Sequence, residues 1–463
     1  MNNLREKQKL LKELNRGKGK YYLLILFVIL TFIYIVDEIS SNINTTLQPY
    51  VILDLFRVPG ADVNSKEYAS ALGKFTVITM FSYVMMLIAP FYKALADRFG
   101  RRLFLILNTT LMSVGMLICM IAPHYIVYII GALVITFVKS NDMQVMYIIE
   151  TAPKEHRAKI CNTTKAIALV SVSLIGVFKM MFFRSSDITT WRMVFLIPVI
   201  IGLVVSVIAI PFIRETPVFI EKRLSALGEK TEQRDTGSKT IGDSLEKPSE
   251  TNGGVGKAFK LIFSDKQLRN IMIASVAFAL VTGITSYYMT VLEASRQTGV
   301  ITEDVLNLIL VIFPFVNGIF TMICGFISDS AGRKKACFIF SAIAGVGLVM
   351  FVLGAYFGAP SYIIGIGYGM FIGTLWSITD TLVLVMPAES TPTNMRASVM
   401  GVMSLLLSAG MAISIILFAL GVNIVGSKHI GMLSIAICIP LMILSCILLS
   451  KVEETKGNDL DEI

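Results

Sequence analysis

Five charged side chains stand inside long apolar stretches: Asp37 and the adjacent Glu38, Lys139 and Asp142, and Asp380. A charge in such a setting costs about 2.5–3.5 kcal/mol on insertion scales and marks function by default. A carboxylate in a low-dielectric setting takes up a proton more readily than one in water, which is the property a proton carrier needs. Asp37, with Glu38 beside it, is read as that carrier. Lys139 and Asp142 lie three residues apart and so share one helical face. That spacing suits a part in proton coupling or a structural pair that neutralises itself. Asp380 has Trp376, Ser377 and Thr379 close by, and Trp376 suits stacking on a polar solute as well as it suits packing. Asn141, Gln144, Thr285, Tyr287, Tyr288 and Asn317, with Trp376 and Asp380, form the candidate set for holding that solute. Asn42 and Asn44 offer further amides, although any single amide also serves as a helix–helix contact. Lys165 and Lys179 lie near the ends of their stretches, where a long side chain snorkels to water, and are set aside.

The elements that carry these residues follow from composition. The chain has 463 residues, 55% hydrophobic and 16% charged, against about a quarter charged in soluble proteins. Of its 73 Lys, Arg, Asp and Glu residues, 36 fall in residues 1–20, 214–269 and 451–463. What remains reads as twelve apolar spans, near 21–47, 72–94, 103–123, 124–149, 159–183, 191–213, 270–293, 304–327, 336–357, 361–387, 397–421 and 427–450. Each has about the 20 residues a transmembrane helix needs, without the alternation of barrel strands. The fold class expected is therefore an all-α polytopic membrane protein.

Alternating the loops with the N-terminus inside places 31 of the 41 basic residues on one side and seven on the other. That bias makes both tails and the 214–269 linker cytoplasmic, in a plasma membrane. The net charge of +9 serves this topology, and no basic stripe interleaved with aromatics suggests nucleic acid. The six cysteines form no CxxC pair and read as reduced packing residues, with no metal or disulfide role. The three histidines, His124, His156 and His429, fall near span ends, and neither HExxH nor GxSxG occurs, so an intramembrane enzyme is disfavoured.

The chain also repeats. Asp97-Arg98-Phe99-Gly100-Arg101 ends the second span, and Asp329-Ser330-Ala331-Gly332-Arg333 ends the eighth, 232 residues on. Glu150-x-x-Pro153-x-x-x-Arg157 follows the fourth span, and Glu389-x-x-Pro392-x-x-x-Arg396 follows the tenth, 239 residues on. Glu215-Thr216 and Glu454-Thr455 follow the sixth and twelfth spans at the same offset of 239. Two parallel six-helix repeats, 21–213 and 270–450, are the simplest account. In the reversing loops Gly100 supplies a positive φ at little cost. Asp97 is placed to accept hydrogen bonds from a neighbouring helix N-terminus.

Lys93-x-Leu95-Ala96-Asp97-Arg98-x-Gly100-Arg101-Arg102 resembles the signature loop of the major facilitator superfamily, with Lys93 where that family usually has Gly. The second copy keeps Gly325 there but has Ser330 for the usual Arg. Arg214-Glu215-Thr216-Pro217 and the tail Glu454-Thr455-Lys456-Gly457 resemble the stretches that follow spans six and twelve in its sugar porters. The resemblance covers the whole chain and implies a secondary transporter that rocks two halves about a central site. It implies a gating set made of Asp97, Arg98, Gly100, Arg101, Glu150, Arg157, Asp329, Gly332, Arg333, Glu389 and Arg396. Pairs of Glu150 and Glu389 with these arginines are expected to form when the protein faces outward and to break when it faces inward. Proton-coupled members pair a span-one Asp with a span-four Arg; here the aligned stretch at Tyr128-Ile129-Ile130 has no Arg. The sugar site's Gln pair is absent from span seven, leaving Gly283 and the tyrosines. The expected function is import of a small polar organic solute with protons, by a monomer in the lipid bilayer without cofactor. A sugar uniporter, a proton-driven exporter and a receptor on the same fold are the alternatives. Efflux is weakened because span five has only Gly176 and no Pro.

Overall fold

The computed structural model describes residues 20–79, 92, 95, 99–139, 143–151, 157–221, 223–224, 255–391 and 395–455. All regular elements among them are helical, and eleven helices are long and apolar enough to cross a membrane. In the first half these are Lys20–Leu55 (α1), Arg101–Ile121 (α3), the fourth span Tyr125–Lys139 and Met143–Thr151 (α4, α5), the fifth span Arg157–Ser171 and Ser173–Phe182 (α6, α7), and a 3-10 turn Ile188–Phe195 leading into Leu196–Phe212 (α8). The second span begins in Lys66–Thr79 (α2) and runs on into residues outside the described set. Val255–Ser264 (α9) is a short helix that precedes the second half. The seventh span is Lys266–Val281 (α10), a 3-10 turn Thr282–Ser286, and Tyr288–Gln297 (α11). Glu303–Ala331 (α12) and Arg333–Phe357 (α13) follow. The tenth span is Ser361–Asp380 (α14), a π turn Thr381–Val385, and Met386–Glu389 (α15). Arg396–Val425 (α16) and Ile430–Ser450 (α17) complete the bundle.

α1 is 36 residues long, about 54 Å at 1.5 Å per residue, and outruns a hydrocarbon core of about 30 Å. The expected boundary near residue 47 falls two turns short. Its polar run reads as a helix end, yet inside the bundle several of its groups find partners. Thr46 donates to the Asn42 carbonyl at 2.9 Å, and Asn44 accepts from the Tyr128 hydroxyl at 2.9 Å.

The repeat extends to helix packing. A Cβ on Gly115 of α3 would lie 3.0 Å from the Gly131 carbonyl of α4, and one on Gly347 of α13 would lie 2.7 Å from the Gly367 carbonyl of α14. Both crossings bring backbones together through small residues, the packing mode that lipid surroundings favour. Between the halves, α6 and α7 lie on α12, α2 on α16, and α11 on α1. At the first of these contacts a Cβ on Gly176 would stand 2.9 Å from the Leu310 Cβ.

Candidate functional site

The two ends of the bundle are built differently. At the end remote from the repeated Gly-Arg motifs, the halves are stitched together by polar side chains. The Tyr50 hydroxyl donates to Glu293 at 2.9 Å, and Tyr68 and Thr290 meet at 3.1 Å. Thr46 and Tyr288 share a hydrogen bond of 2.8 Å, and Thr76 and Tyr287 one of 3.1 Å. Gln297 accepts from the Val63 amide and donates to the Ala61 carbonyl, while Ser427 donates to the Val63 carbonyl. Lys179 adds a charged link. Its ammonium donates to Asn307 at 2.8 Å and pairs with Glu303 at 3.1 Å. Arg296 closes the cluster, donating to Glu293 at 2.5 Å and approaching Glu303 at 3.5 Å. The Lys179 side chain is 0% exposed, in a cradle of Tyr50 and Phe183 whose ring centres lie 5.3 and 4.8 Å from the ammonium. Both rings belong to its own half, so a cation–π partner stays with Lys179 when the halves part. A cavity of about 480 Å³ lies beside the cluster, lined by Tyr50, Phe183, Glu293, Arg296 and Gln297.

Asp37 of α1 is buried, and its carboxylate accepts from the Gln144 amide of α5 at 2.5 Å. Two residues singled out from the sequence on separate grounds, Asp37 as a candidate for coupling and Gln144 as a candidate for holding solute, thus meet. Glu38 accepts from Asn42 one turn on, at 3.4 Å. Lys139 ends α4, while Asn141 and Asp142 lie outside the described residues.

In the second half, span seven is broken by the 3-10 turn at Thr282–Ser286. The cause is close packing against α16. A Cβ on Gly283 would lie 2.3 Å from the Ser414 hydroxyl, and the Gly283 amide donates to that hydroxyl at 3.0 Å. Discontinuous helices of this kind line the central sites of transporters. Thr285 sits in the turn and spends its hydroxyl on the Thr282 carbonyl. Tyr287 and Tyr288 follow, but both are buried in the inter-half seam. Tyr287 also donates to the Ile415 carbonyl, and Tyr288 stacks on Tyr368 at 4.6 Å. Their hydroxyls are occupied by the other half, so in this state they hold the seam shut and do not present a free face to solute. Asn317 of α12 lies against Gly373 of α14 and accepts from Thr321 at 3.3 Å. Trp376 and Asp380, four residues apart on one face of α14, are both exposed. Asp380 immediately precedes the π turn, a local widening that recurs at functional sites.

The motif end shows the same construction twice. Arg101 reaches Glu150 at 3.1 Å, and Arg333 reaches Glu389 at 3.2 Å. Each glutamate also accepts from a threonine at 2.6 Å, Thr216 in the first half and Thr455 in the second. The Arg101 amide donates to Glu215 at 2.8 Å, and the Arg333 amide to Glu454 at 2.8 Å. A carboxylate from the sixth or twelfth span's exit thus caps the N-terminus of α3 or α13, where orphan amides and the helix dipole favour negative charge. Asp97 and Arg98 lie outside the described residues. Arg157, Asp329 and Arg396 stand at the start of α6, near the end of α12 and at the start of α16.

Glu215 and Glu454 cap α3 and α13, because the chain returns past the motif loop on leaving the last span of each half; the capping expected of Asp97 falls on a residue outside the described set. The Arg101–Glu150 and Arg333–Glu389 pairs lie within a half, and they are intact while the far end is closed. Rocking the halves as rigid bodies need not separate partners on the same half.

Gly100 and Gly332 have φ of 111° and 99°, and a Cβ would lie 2.3 Å from Glu215 Oε2 and 2.5 Å from Glu454 Oε2. Gly100→Ala and Gly332→Ala are each expected to lower stability by about 2–3 kcal/mol, the sum of φ strain and a displaced cap. Thermal unfolding in detergent measures this, and an unchanged midpoint contradicts the capping role.

Lys179, Arg296, Glu293 and Glu303 were not singled out from sequence. Lys179 was set aside for lying near a span end, yet it points across the bundle and not toward water. The Glu293-x-x-Arg296 spacing was the available signal. Glu215, Thr216, Glu454 and Thr455 were visible as repeats without a role. Among the described residues no group of three or more His, Cys, Asp or Glu gathers as a metal site.

A family model described as Major Facilitator Superfamily matches residues 26–415 and 295–462. The putative metabolite transport protein YwtG of Bacillus subtilis is 24% identical over 385 residues, covering 80% of this chain and 81% of its own. The glucose transporter GlcP of Staphylococcus epidermidis is 22% identical over 383 residues, covering 80% and 83%. Among solved structures, a D-xylose-proton symporter superposes with a TM-score of 0.68 at 16% identity, over 94% of this chain and 99% of that one. The inward open xylose transporter XylE from E. coli gives 0.62 at 16% identity, over 95% and 98%.

Proposed function

Because this chain belongs to the Major Facilitator Superfamily and is a membrane transporter, we propose that it imports a small polar organic solute together with protons by alternating access. The observation that carries this reading is the polar seam between the halves. Helices within a half meet largely through glycine crossings and apolar side chains, with single polar pairs such as Asp37–Gln144 and Asn44–Tyr128 among them. The seam is made of hydroxyls, amides and charges whose partners water replaces when it opens. Such a contact is suited to being made and broken.

The basic bias of the loops supports placing the Arg101 and Arg333 end in the cytoplasm, with both tails and the linker. The closed seam then faces outside. Asp37, with its Gln144 partner, is the proposed proton carrier, and Glu38 its neighbour. Thr285, Asn317, Trp376 and Asp380 remain the proposed solute contacts. The relatives named for glucose and xylose make a sugar the first solute to test, while the absent Gln pair in span seven keeps zwitterions in the same screen. The test is uptake into proteoliposomes across a panel of sugars and zwitterions, with and without an imposed pH gradient. Saturable uptake that accumulates only with the gradient is expected. Uptake that equilibrates regardless of the gradient establishes a uniporter, and none from the whole panel overturns the reading.

A further inference from the structure

On the outer surface of the second half, α13 and α17 lie side by side and enclose an apolar groove of about 1050 Å³. We propose that this groove binds one anionic phospholipid, with an acyl chain between the helices and its phosphate at Lys335 and Lys451. The groove runs from Phe338 to Met350 along α13, twelve residues or about 18 Å. That matches the depth of a single leaflet, half of a hydrocarbon core of about 30 Å. Its walls are Phe338, Ala342, Val349, Ile439 and Ile443, with Gly345 at the floor. The hydroxyls on the lining are spent internally, Ser341 on the Cys337 carbonyl and Ser450 on the Ile447 carbonyl. The groove therefore offers a chain apolar contact only.

The charge is at one end. On α13 the lining residues 338, 342, 345 and 349 extend back by three residues to Lys335, which is exposed. On α17 the lining residues 439, 443 and 447 extend forward by four to Lys451, also exposed. Helical periodicity puts both ammonium groups over the same mouth. Lys334, between them, is already committed to the Ser450 and Val452 carbonyls and pins the two helices together there. Basic pockets between membrane helices bind anionic head groups, and each lysine contributes roughly fivefold at a membrane surface.

The experiment reconstitutes the full chain in nanodiscs of equimolar phosphatidylcholine and phosphatidylglycerol and counts retained lipid by native mass spectrometry. Phosphatidylglycerol is expected to be retained over phosphatidylcholine by about 25-fold, with the preference falling toward unity in Lys335→Gln/Lys451→Gln. Gly345→Leu, whose Cβ would touch Ile439 at 3.4 Å, is expected to lower retention of both lipids by filling the floor. Equal retention of the two lipids, a preference unchanged in the lysine variant, or a lipid-free dimer joined through this face would each overturn the proposal.

Discussion

Replacing Lys179 by methionine shifts the transporter toward the state open at the far end, by about tenfold in population. The ammonium is fully buried, and its bonds to Asn307 and Glu303 cross the seam. Hydrogen bonds to charged groups contribute about 1.5–3 kcal/mol each when desolvated. The loss is smaller than the sum, because Glu303 keeps Arg296 at 3.5 Å and is itself 31% exposed. A net of about 1–2 kcal/mol corresponds to a shift of roughly tenfold. Spin labels at Ser185 and Thr298, exposed positions on opposite halves, report the separation by pulsed dipolar spectroscopy in a cysteine-free background. Longer distances are expected to gain population in Lys179→Met and to recede in Lys179→Met/Glu303→Gln, where the abandoned carboxylate is neutralised. Lys179→Arg, which keeps the charge, separates loss of pairing from loss of packing. An unchanged distance distribution in Lys179→Met means the cluster does not hold the seam.

Asp37→Asn uncouples transport from protons. The asparagine carbonyl still accepts from Gln144, so the α1–α5 contact at 2.5 Å survives in form while the group no longer carries a proton. One pH unit amounts to about 1.4 kcal/mol, so a one-proton symporter concentrates solute about tenfold across it. That accumulation is expected to fall to equilibration in the variant, with exchange of labelled for unlabelled solute slowed but measurable. Accumulation that persists at the original level removes Asp37 from the coupling path and directs attention to Glu38.

These expectations draw unequally on sequence. The buried Asp37 announced itself, since an isolated charge in an apolar span is conspicuous wherever the helix lies. The Gln144 partner was named for another purpose, because nothing local says which residue of span four faces span one. Lys179 was misjudged for the same reason. Distance to a span end is readable in one dimension, but whether a side chain turns to water or across the bundle depends on which helix stands opposite. Tyr287 and Tyr288 were expected to hold solute, yet the 3-10 turn before them and the seam that occupies their hydroxyls arise from packing against Ser414, Thr76 and Thr46.

By itself the sequence determined the solvent, the number of spans, the two-fold repeat and the motif pairs, because a bilayer acts on each residue nearly independently and a repeat is a property of order along the chain. The tertiary structure alone decided which charges pair, that the motif ion pairs stay within a half, and that the halves close through Lys179, Glu293, Arg296 and Glu303. Most of those contacts join residues on different helices, 124 positions apart for Lys179 and Glu303 and 49 for Arg101 and Glu150, and their energies depend on orientation and burial that no local pattern encodes.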